Sequence, residues 1–394
     1  MTVQRAMTGR SSAGASPGEA ADGSTLAPLA VAGRAARVRA RLADRADALL
    51  VSDLSNIRWL TGFTGSNGWV VVAPDELVLV TDGRYGDQAA AQMAAAGVDG
   101  SVKVGATAAA TLDLLAEIVE PLRSLGFEAS HVSYAQFRAY ESAMSPTLVG
   151  LDGVVEAERR TKDDGEIARI AEACRIADAA LAEVAPRLGE GLTEAEVRNL
   201  LEIRMRELGA SGPSYETIVA TGPTNAALPH HRPIGTRIEE GHTVVVDVGA
   251  LYDGYHSDMT RSYVVGEPTV LQRELYELVL DAQVRGVEAV TAGVSTKELD
   301  AVCRDAIAAA GYGDWFTHGT GHGVGLLIHE DPFVGRASDA LLQVGDVVTV
   351  EPGVYREGFG GIRVEDLVVV TSTGCRALTQ TPKDSACPPS PPTT

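Results

Sequence analysis

The chain has 394 residues, 45% of them apolar, and 33 Lys and Arg against 53 Asp and Glu, for a formal net charge of −20. Such an acidic balance argues against nucleic acid as a partner, because that binding neutralises phosphates with clustered basic side chains, and makes cations the more natural ligands. No run of about 18 apolar residues exists that could span a bilayer, so no membrane partner is expected, and the length exceeds what one hydrophobic core usually serves.

Residues 1–33 are rich in Gly, Ser, Ala and Pro without a continuous apolar stretch, so they read as a disordered leader rather than a signal peptide. From Arg34 to about Leu49 apolar residues recur at helical spacing, and ALLVSD at 48–53 reads as a short buried strand. Residues 68–72 and 77–80, separated by a turn at 73–76, predict a hairpin, and 87–97 predict a helix. Together they describe an α/β unit over 34–155.

The charged stretch EAERRTKDDGEIARI follows and reads as a hinge whose helix, running to about Leu188, opens a second domain over 156–383. Thr193 with Glu196 and Ser295 with Glu298 match the capping box, placing helices at 194–209 and 296–310. Valine-rich strands are expected at 243–248, 262–265, 347–351 and 364–371, and residues 384–394 as a flexible tail. Cys174, Cys303, Cys375 and Cys387 form no CxxC pair, which fits a reduced, cytoplasmic setting.

The second domain contains a repeat. GHTVVVDVG at 241–249 aligns without gaps on GDVVTVEPG at 345–353, with an acid ending each valine run: Asp247 and Glu351. Four residues beyond Gly254 and Gly361 stands a second acid, Asp258 and Glu365. Two related β-rich halves thus each offer a carboxylate pair, as an internal duplication about a pseudo-twofold axis would produce.

Buried alone, such acids lose hydration, and converging they repel one another; a bound dication removes both objections. The alternative is that they are solvated, with Asp258 and Glu365 pairing to Arg261 and Arg363. The histidines favour the metal reading, since seven of the eight lie between residues 230 and 329. Four carboxylates and an imidazole suit Mn²⁺, Co²⁺, Fe²⁺ or Zn²⁺, and two such ions predict a hydrolase. In HGTGHGVGLLIHEDP at 318–332, the glycines at 319, 321, 323 and 325 let the backbone turn and approach a ligand closely, so the stretch reads as a metal-ligand and substrate-binding segment.

Asp247, Asp258, His322, Glu351 and Glu365, in the settings VVVDVGA, DMTR, HGTGHGVG, VEPGVY and GIRVED, resemble the M24 metallopeptidase family that contains prolidase, aminopeptidase P and methionine aminopeptidase. The resemblance implies an α/β (α+β) chain with a pita-bread catalytic domain, itself an internal pseudo-twofold duplication, behind a creatinase-type α/β N-terminal domain. It further implies two divalent ions, Mn²⁺ first, in which Asp247 chelates one, Asp258 and Glu365 bridge both, and His322 and Glu351 bind the other. The resemblance implies too that Glu351 moves a proton, His230 contacts substrate and His329 stabilises the transition state. His231, adjacent to His230, competes with it for that role. His318 is a candidate for supporting a ligand, and Thr260 and Arg363 for orienting neighbours, although a plain ion pair suits Arg363 equally. His242 and His256 read as surface or packing residues.

The large N-terminal domain, PHHRP and GVGLLIHEDP favour the branch that cleaves an N-terminal Xaa-Pro bond, with a peptide carrying proline second as substrate and a homodimer as the assembly. Dipeptides and longer peptides are both open. A creatinase-like amidinohydrolase, metal-independent, and a non-catalytic protein on the same scaffold are the rivals; both branches lack the complete ligand set.

Overall fold

The computed structural model describes residues 26–383 and 385–388. The amino-terminal domain is a six-stranded sheet, β1 (Ala48–Val51), β2 (Trp69–Val72), β3 (Leu77–Asp82), β4 (Ser101–Gly105), β5 (Ser124–Glu128) and β6 (Thr147–Leu151), in the order β4-β3-β2-β1-β5-β6. The predicted hairpin is β2 and β3, and β1 runs parallel to β5. Helices α1 (Arg34–Leu42), α2 (Leu54–Thr61), α3 (Gly86–Ala95), α4 (Ala108–Val119) and α5 (Tyr134–Ala143) flank the sheet. Alternate residues of β1 feed two cores. Ala48 and Leu50 pack with Val78, Val80 and Leu115, whereas Leu49 and Val51 join a cluster that includes Val347, Leu367 and Val369 of the second domain.

Helix α1 stops well short of the expected Leu49. Asp44 takes a left-handed φ of 64°, and the Asp47 carboxylate accepts from the Arg123 and Ser124 backbone N–H groups, so 43–47 become a turn that delivers β1.

The expected leader lies outside the described residues as far as 25, and residues 26–33 are not a free segment. The Ala30 N–H donates to Asp163 at 3.2 Å, Val31 is buried, and the Pro28 carbonyl occupies the space a Cβ on Gly165 would need. Nor is the charged stretch a free hinge. It forms α6 (Glu156–Arg159), after which Asp163 caps a new helix, α7 (Asp164–Val184), in a reciprocal capping box with Glu166. The long helix expected to reach Leu188 therefore breaks in two and ends in a 3₁₀ segment over Ala185–Glu190. Both ends of the linker are pinned: Arg160 holds Asp346 through two bonds of 2.9 and 2.6 Å, and the Lys162 N–H donates to the Gly345 carbonyl.

The second domain is two copies of one arrangement. In the first, α7 and α8 (Glu194–Glu207) back a sheet of β8 (Ile218–Thr221), β9 (Thr243–Asp247) and β12 (Thr260–Val264). In the second, α10 (Val270–Ala289) and α11 (Thr296–Ala309) back β13 (Gly321–Gly323), β15 (Val347–Val350) and β18 (Asp366–Thr371), extended by β14 (Glu330–Val334) and β19 (Gly374–Ala377). Smaller pieces complete it: β7 (Gly212–Pro213), β10 (Ala250–Tyr252) and β11 (Tyr255–His256) form one small sheet, β16 (Gly353–Arg356) and β17 (Gly360–Arg363) another, and α9 (Gly222–Asn225) follows β8. This is the pita-bread architecture expected.

The tail is partly docked as well. Residues 384 and 389–394 lie outside the described residues, but the Ala386 carbonyl accepts from Val264 N–H at 2.6 Å. Just before it a strap crosses the second domain: Thr381 bonds Asp178, its carbonyl accepts from Arg261, and Lys383 Nζ reaches Gln283 at 2.6 Å and pairs with Asp366.

Arg34 ties these parts together, donating to Asp163 at 2.6 Å and to the Trp59 carbonyl at 2.8 Å from a site only 1% exposed. Replacing Arg34 by Met strands the buried Glu166 and should cost about 3 kcal/mol, whereas Arg37→Met, where the half-exposed Arg37 pairs with Glu158, should cost under about 1 kcal/mol. Thermal unfolding of the two variants side by side checks the contrast.

Candidate metal centre

The strand ends of the two halves meet at one cavity. Asp247 ends β9 and Asp258 lies two residues before β12; Glu351 follows β15 and Glu365 precedes β18. Buried valines within each strand fix which residues reach the rim, and the pairing Thr260 opposite Asp247 and Val350 opposite Asp366 sets the register. Asp247, Asp258 and Glu365 each place a carboxylate oxygen within 4.8 Å of the others. His322 Nε2 stands 3.4 Å from Asp258 and 3.6 Å from Glu351, so all five candidate ligands converge.

The imidazole of His322 is oriented from behind. Its Nδ1 lies 3.0 Å from the Gly323 carbonyl, which requires the proton there and leaves the Nε2 lone pair facing the acids. Burial pushes its pKa down to about 4, keeping it neutral. Burial, with the neighbouring carboxylates, pushes Asp258 and Glu365 well above the usual carboxylate range; burial takes Glu351 up to about 8.

Glu365 Oε1 is buried and has no hydrogen-bond partner, and Arg363 offers its charge to Asp247 at 2.6 Å rather than to Glu365. Several carboxylates with an orphaned oxygen and one neutral imidazole lack positive charge, and that donor chemistry fits a hard to borderline dication.

The solvated-acid alternative does not hold. Arg261 turns away from Asp258 and pairs with Asp366 at 2.8 Å. Arg363 is no plain ion pair: besides Asp247 it donates to Thr260 Oγ1 at 2.9 Å, Tyr355 Oη at 2.8 Å and the Pro229 carbonyl at 3.1 Å. Thr260 in turn donates to Glu365 at 2.6 Å.

His230 and His329 both line the cavity, which has a volume of about 940 Å³, with apolar walls that include Ile218, Phe316, Ile328, Phe333 and Val334. The His329 ring stacks edge-on against His322 with centroids 4.4 Å apart. His231, adjacent in sequence to His230, is buried and bonds Glu194 at 2.9 Å. His318 lines the cavity and bonds Tyr355 at 3.0 Å. His256 bonds Ser214 and His242 bonds Thr221, both as packing residues.

The glycines of the loop are needed for a different reason from the one expected. Gly321 and Gly323 lie in a strand, where an added Cβ would collide with the carbonyls of Thr349 and Asp331; neighbouring backbone, not a ligand, excludes a side chain.

Four participants escaped sequence reasoning. Tyr215 donates to both Asp247 and Asp258, at 2.6 Å to the latter. Asp300 and Arg304 on α11 hold the loop through Thr320 and the Phe316 and His318 carbonyls. The Glu194 carboxylate accepts from Thr221, Asn225, His231 and Ile234, organising the loop that carries His230. Only Glu194 left a signal, an acid at the first position of a capped helix.

The sequence pattern of metallopeptidase family M24 matches residues 168–372, and that of the creatinase/prolidase N-terminal domain matches 34–161. An uncharacterized peptidase of Bacillus subtilis (strain 168), YqhT, is 40% identical over 86% of this chain and 95% of its own length. The Xaa-Pro dipeptidase of Pyrococcus furiosus is 42% identical over 69% of this chain and 78% of its own length. Among solved structures, the Xaa-Pro dipeptidase from Bacillus anthracis superimposes with a TM-score of 0.86 at 38% identity, covering 90% of this chain and 99% of that one.

Burial pushes the Asp258 and Glu365 carboxyls upward and takes Glu351 to about 8, so near neutral pH a dication must displace the Glu351 proton. Loading the metal-free protein with Mn²⁺ should therefore release about one or more protons per chain, and affinity should rise between pH 6 and 8. Titration calorimetry in buffers of different ionisation enthalpy measures both; proton-neutral, pH-independent binding contradicts the argument.

Proposed function

The chain belongs to metallopeptidase family M24, and from that premise we propose that it hydrolyses the bond between an N-terminal residue and a following proline, in dipeptides or longer peptides. The observation that carries this reading is the convergence of five metal-binding side chains from both β halves on one cavity, faced by His230 and His329.

In this reading Asp247, Asp258, His322, Glu351 and Glu365 would together hold two divalent ions, with Mn²⁺ ahead of Co²⁺, Zn²⁺ or Fe²⁺. When bound, the ions supply Lewis acidity that acidifies water and polarises the scissile carbonyl. Glu351, ionised when it holds metal, would take the proton of the attacking water and pass it to the proline nitrogen, which must be protonated to leave.

Burial lowers the pKa of His329, so its neutral ring can donate an N–H to the oxygen that becomes negative. His230, on the exposed loop, contacts substrate, and the apolar walls with Phe316 and Phe333 suit a proline ring. His318 supports Tyr355, and through it Arg363 is held on Asp247 and Thr260 on Glu365.

The complete ligand set disfavours a creatinase-like amidinohydrolase or a non-catalytic scaffold. Homodimeric assembly and cytoplasmic residence belong to the same proposal and rest on the resemblance. Among the described residues no helix is long and apolar enough to cross a membrane.

Asp258→Ala should lower Xaa-Pro turnover by more than about 10³-fold, and His329→Ala by about 10²-fold with metal content intact. Assay with Xaa-Pro dipeptides, Xaa-Pro-Xaa tripeptides and creatine, before and after chelation, decides the class; chelator-insensitive creatine hydrolysis would replace this reading. Substitution of Tyr215 by Phe removes a donor shared by two ligands and should weaken Mn²⁺ binding about tenfold, as titration would show.

A further inference from the structure

A second polar assembly, containing none of the five ligands, reaches the cavity from the amino-terminal domain. It begins at Glu128, on the last position of β5. One of its oxygens accepts from the Ser52 and Asp53 N–H groups at 2.6 and 2.8 Å, and the other accepts from Asn56 Nδ2 at 2.6 Å. Asn56, on α2 and wholly buried, accepts at its own oxygen from Arg159 Nη1 at 2.7 Å. Arg159, at the end of α6, donates its other terminal nitrogen to Glu330 at 2.7 Å, and Lys162 holds the second Glu330 oxygen at 2.7 Å.

Glu330 is the residue after His329. Its carboxylate packs on the backbone of Gly325, where an added Cβ would meet it. The Gly325 N–H donates to the Leu327 carbonyl at 3.0 Å, and the Gly325 carbonyl accepts from His256 N–H at 2.9 Å. The turn from Gly325 to Glu330 is thus closed at both ends, and Ile328 and His329 are the parts of it that line the cavity.

Stability does not account for this arrangement. Burying Arg159, Lys162 and Glu330 costs several kcal/mol of desolvation per ion, and apolar side chains of similar volume commonly stabilise a core at least as well. What the charges add is geometry, since a bridging guanidinium fixes two acceptors in one plane. Burial alone would push the Glu330 carboxyl up, yet Lys162 and Arg159 hold it below the usual range, so the contact stays ionic.

We propose that Asn56 and Arg159 are positioning residues for His329: the amino-terminal domain fixes the placement of that imidazole through the buried series Glu128, Asn56, Arg159, Glu330. The catalytic half of this inference rests on the role given to His329 above.

A double-mutant cycle tests it. With Mn²⁺-loaded enzyme, Arg159→Met should lower kcat on an Xaa-Pro dipeptide about 30-fold with KM and metal content little changed, and Arg159→Lys should recover part of the loss. In a His329→Ala background the same Arg159→Met change should cost no more than about twofold, because the residue acts through the imidazole already removed. Equal losses in both backgrounds overturn the proposal.

If Arg159→Met does not fold, Asn56→Ala leaves the charges in place and enters the same cycle. Histidine ring ¹H–¹⁵N spectra supply a readout independent of catalysis. The His329 signal, assigned by its absence in His329→Ala, should move in Arg159→Met while that of His318 stays; an unmoved His329 signal overturns the proposal whatever the kinetics. Full activity of His329→Ala would instead remove the catalytic role of His329, leaving the spectra to decide its placement.

Discussion

Four carboxylates facing one partly apolar cavity cannot all be ionised without positive charge among them. That electrostatic constraint organises the second domain. Each half of the duplicated β scaffold brings two acids to the same point, and the charged groups built around them are too few to neutralise them: Arg363 reaches Asp247, while Glu365 is left with an unpartnered oxygen. The centre is arranged for a cation from outside the chain, as its membership of a metallopeptidase family requires.

Neutral donors do the remaining work. Tyr215 spans two acids from one half, and Thr260 carries the influence of Arg363 across to Glu365 of the other half. Behind them Arg261 and Lys383 satisfy Asp366, so the acid next to the candidate ligand Glu365 is already paired. The protein thereby separates acids that hold structure from acids that await a metal, although the two kinds are adjacent in sequence. Histidines are sorted in the same way: His231 is spent on Glu194, and His230 faces the cavity.

What was legible in the sequence was whatever had a local signal. Valine runs ending in an acid announced β9 and β15, and the match between them announced the duplication; capping boxes located the starts of α8 and α11. Features made by distant partners left no such trace. Tyr215 is an isolated tyrosine until folding brings Asp247 and Asp258 to its hydroxyl, and Asn56 meets Arg159 only across the domain boundary. The helix expected as far as Leu49 failed because periodicity does not register a left-handed Asp44, and the charged stretch between the domains looks solvated until its partners, Asp346 and Glu330, are known. Glycines flagged for ligand approach turned out to admit neighbouring strands.

The strap formed by Thr381 and Lys383 has a consequence for how the molecule is made. It closes over Asp178, Arg261 and Asp366, the last of them beside the candidate ligand Glu365, and it follows both β halves along the chain. The amino-terminal sheet can collapse during translation, but the acids of both β halves come under their full set of restraints only once residues 381–383 have also been made. A nascent chain stalled short of this strap carries the acids of both halves while Asp366 and Arg261 still lack its restraint.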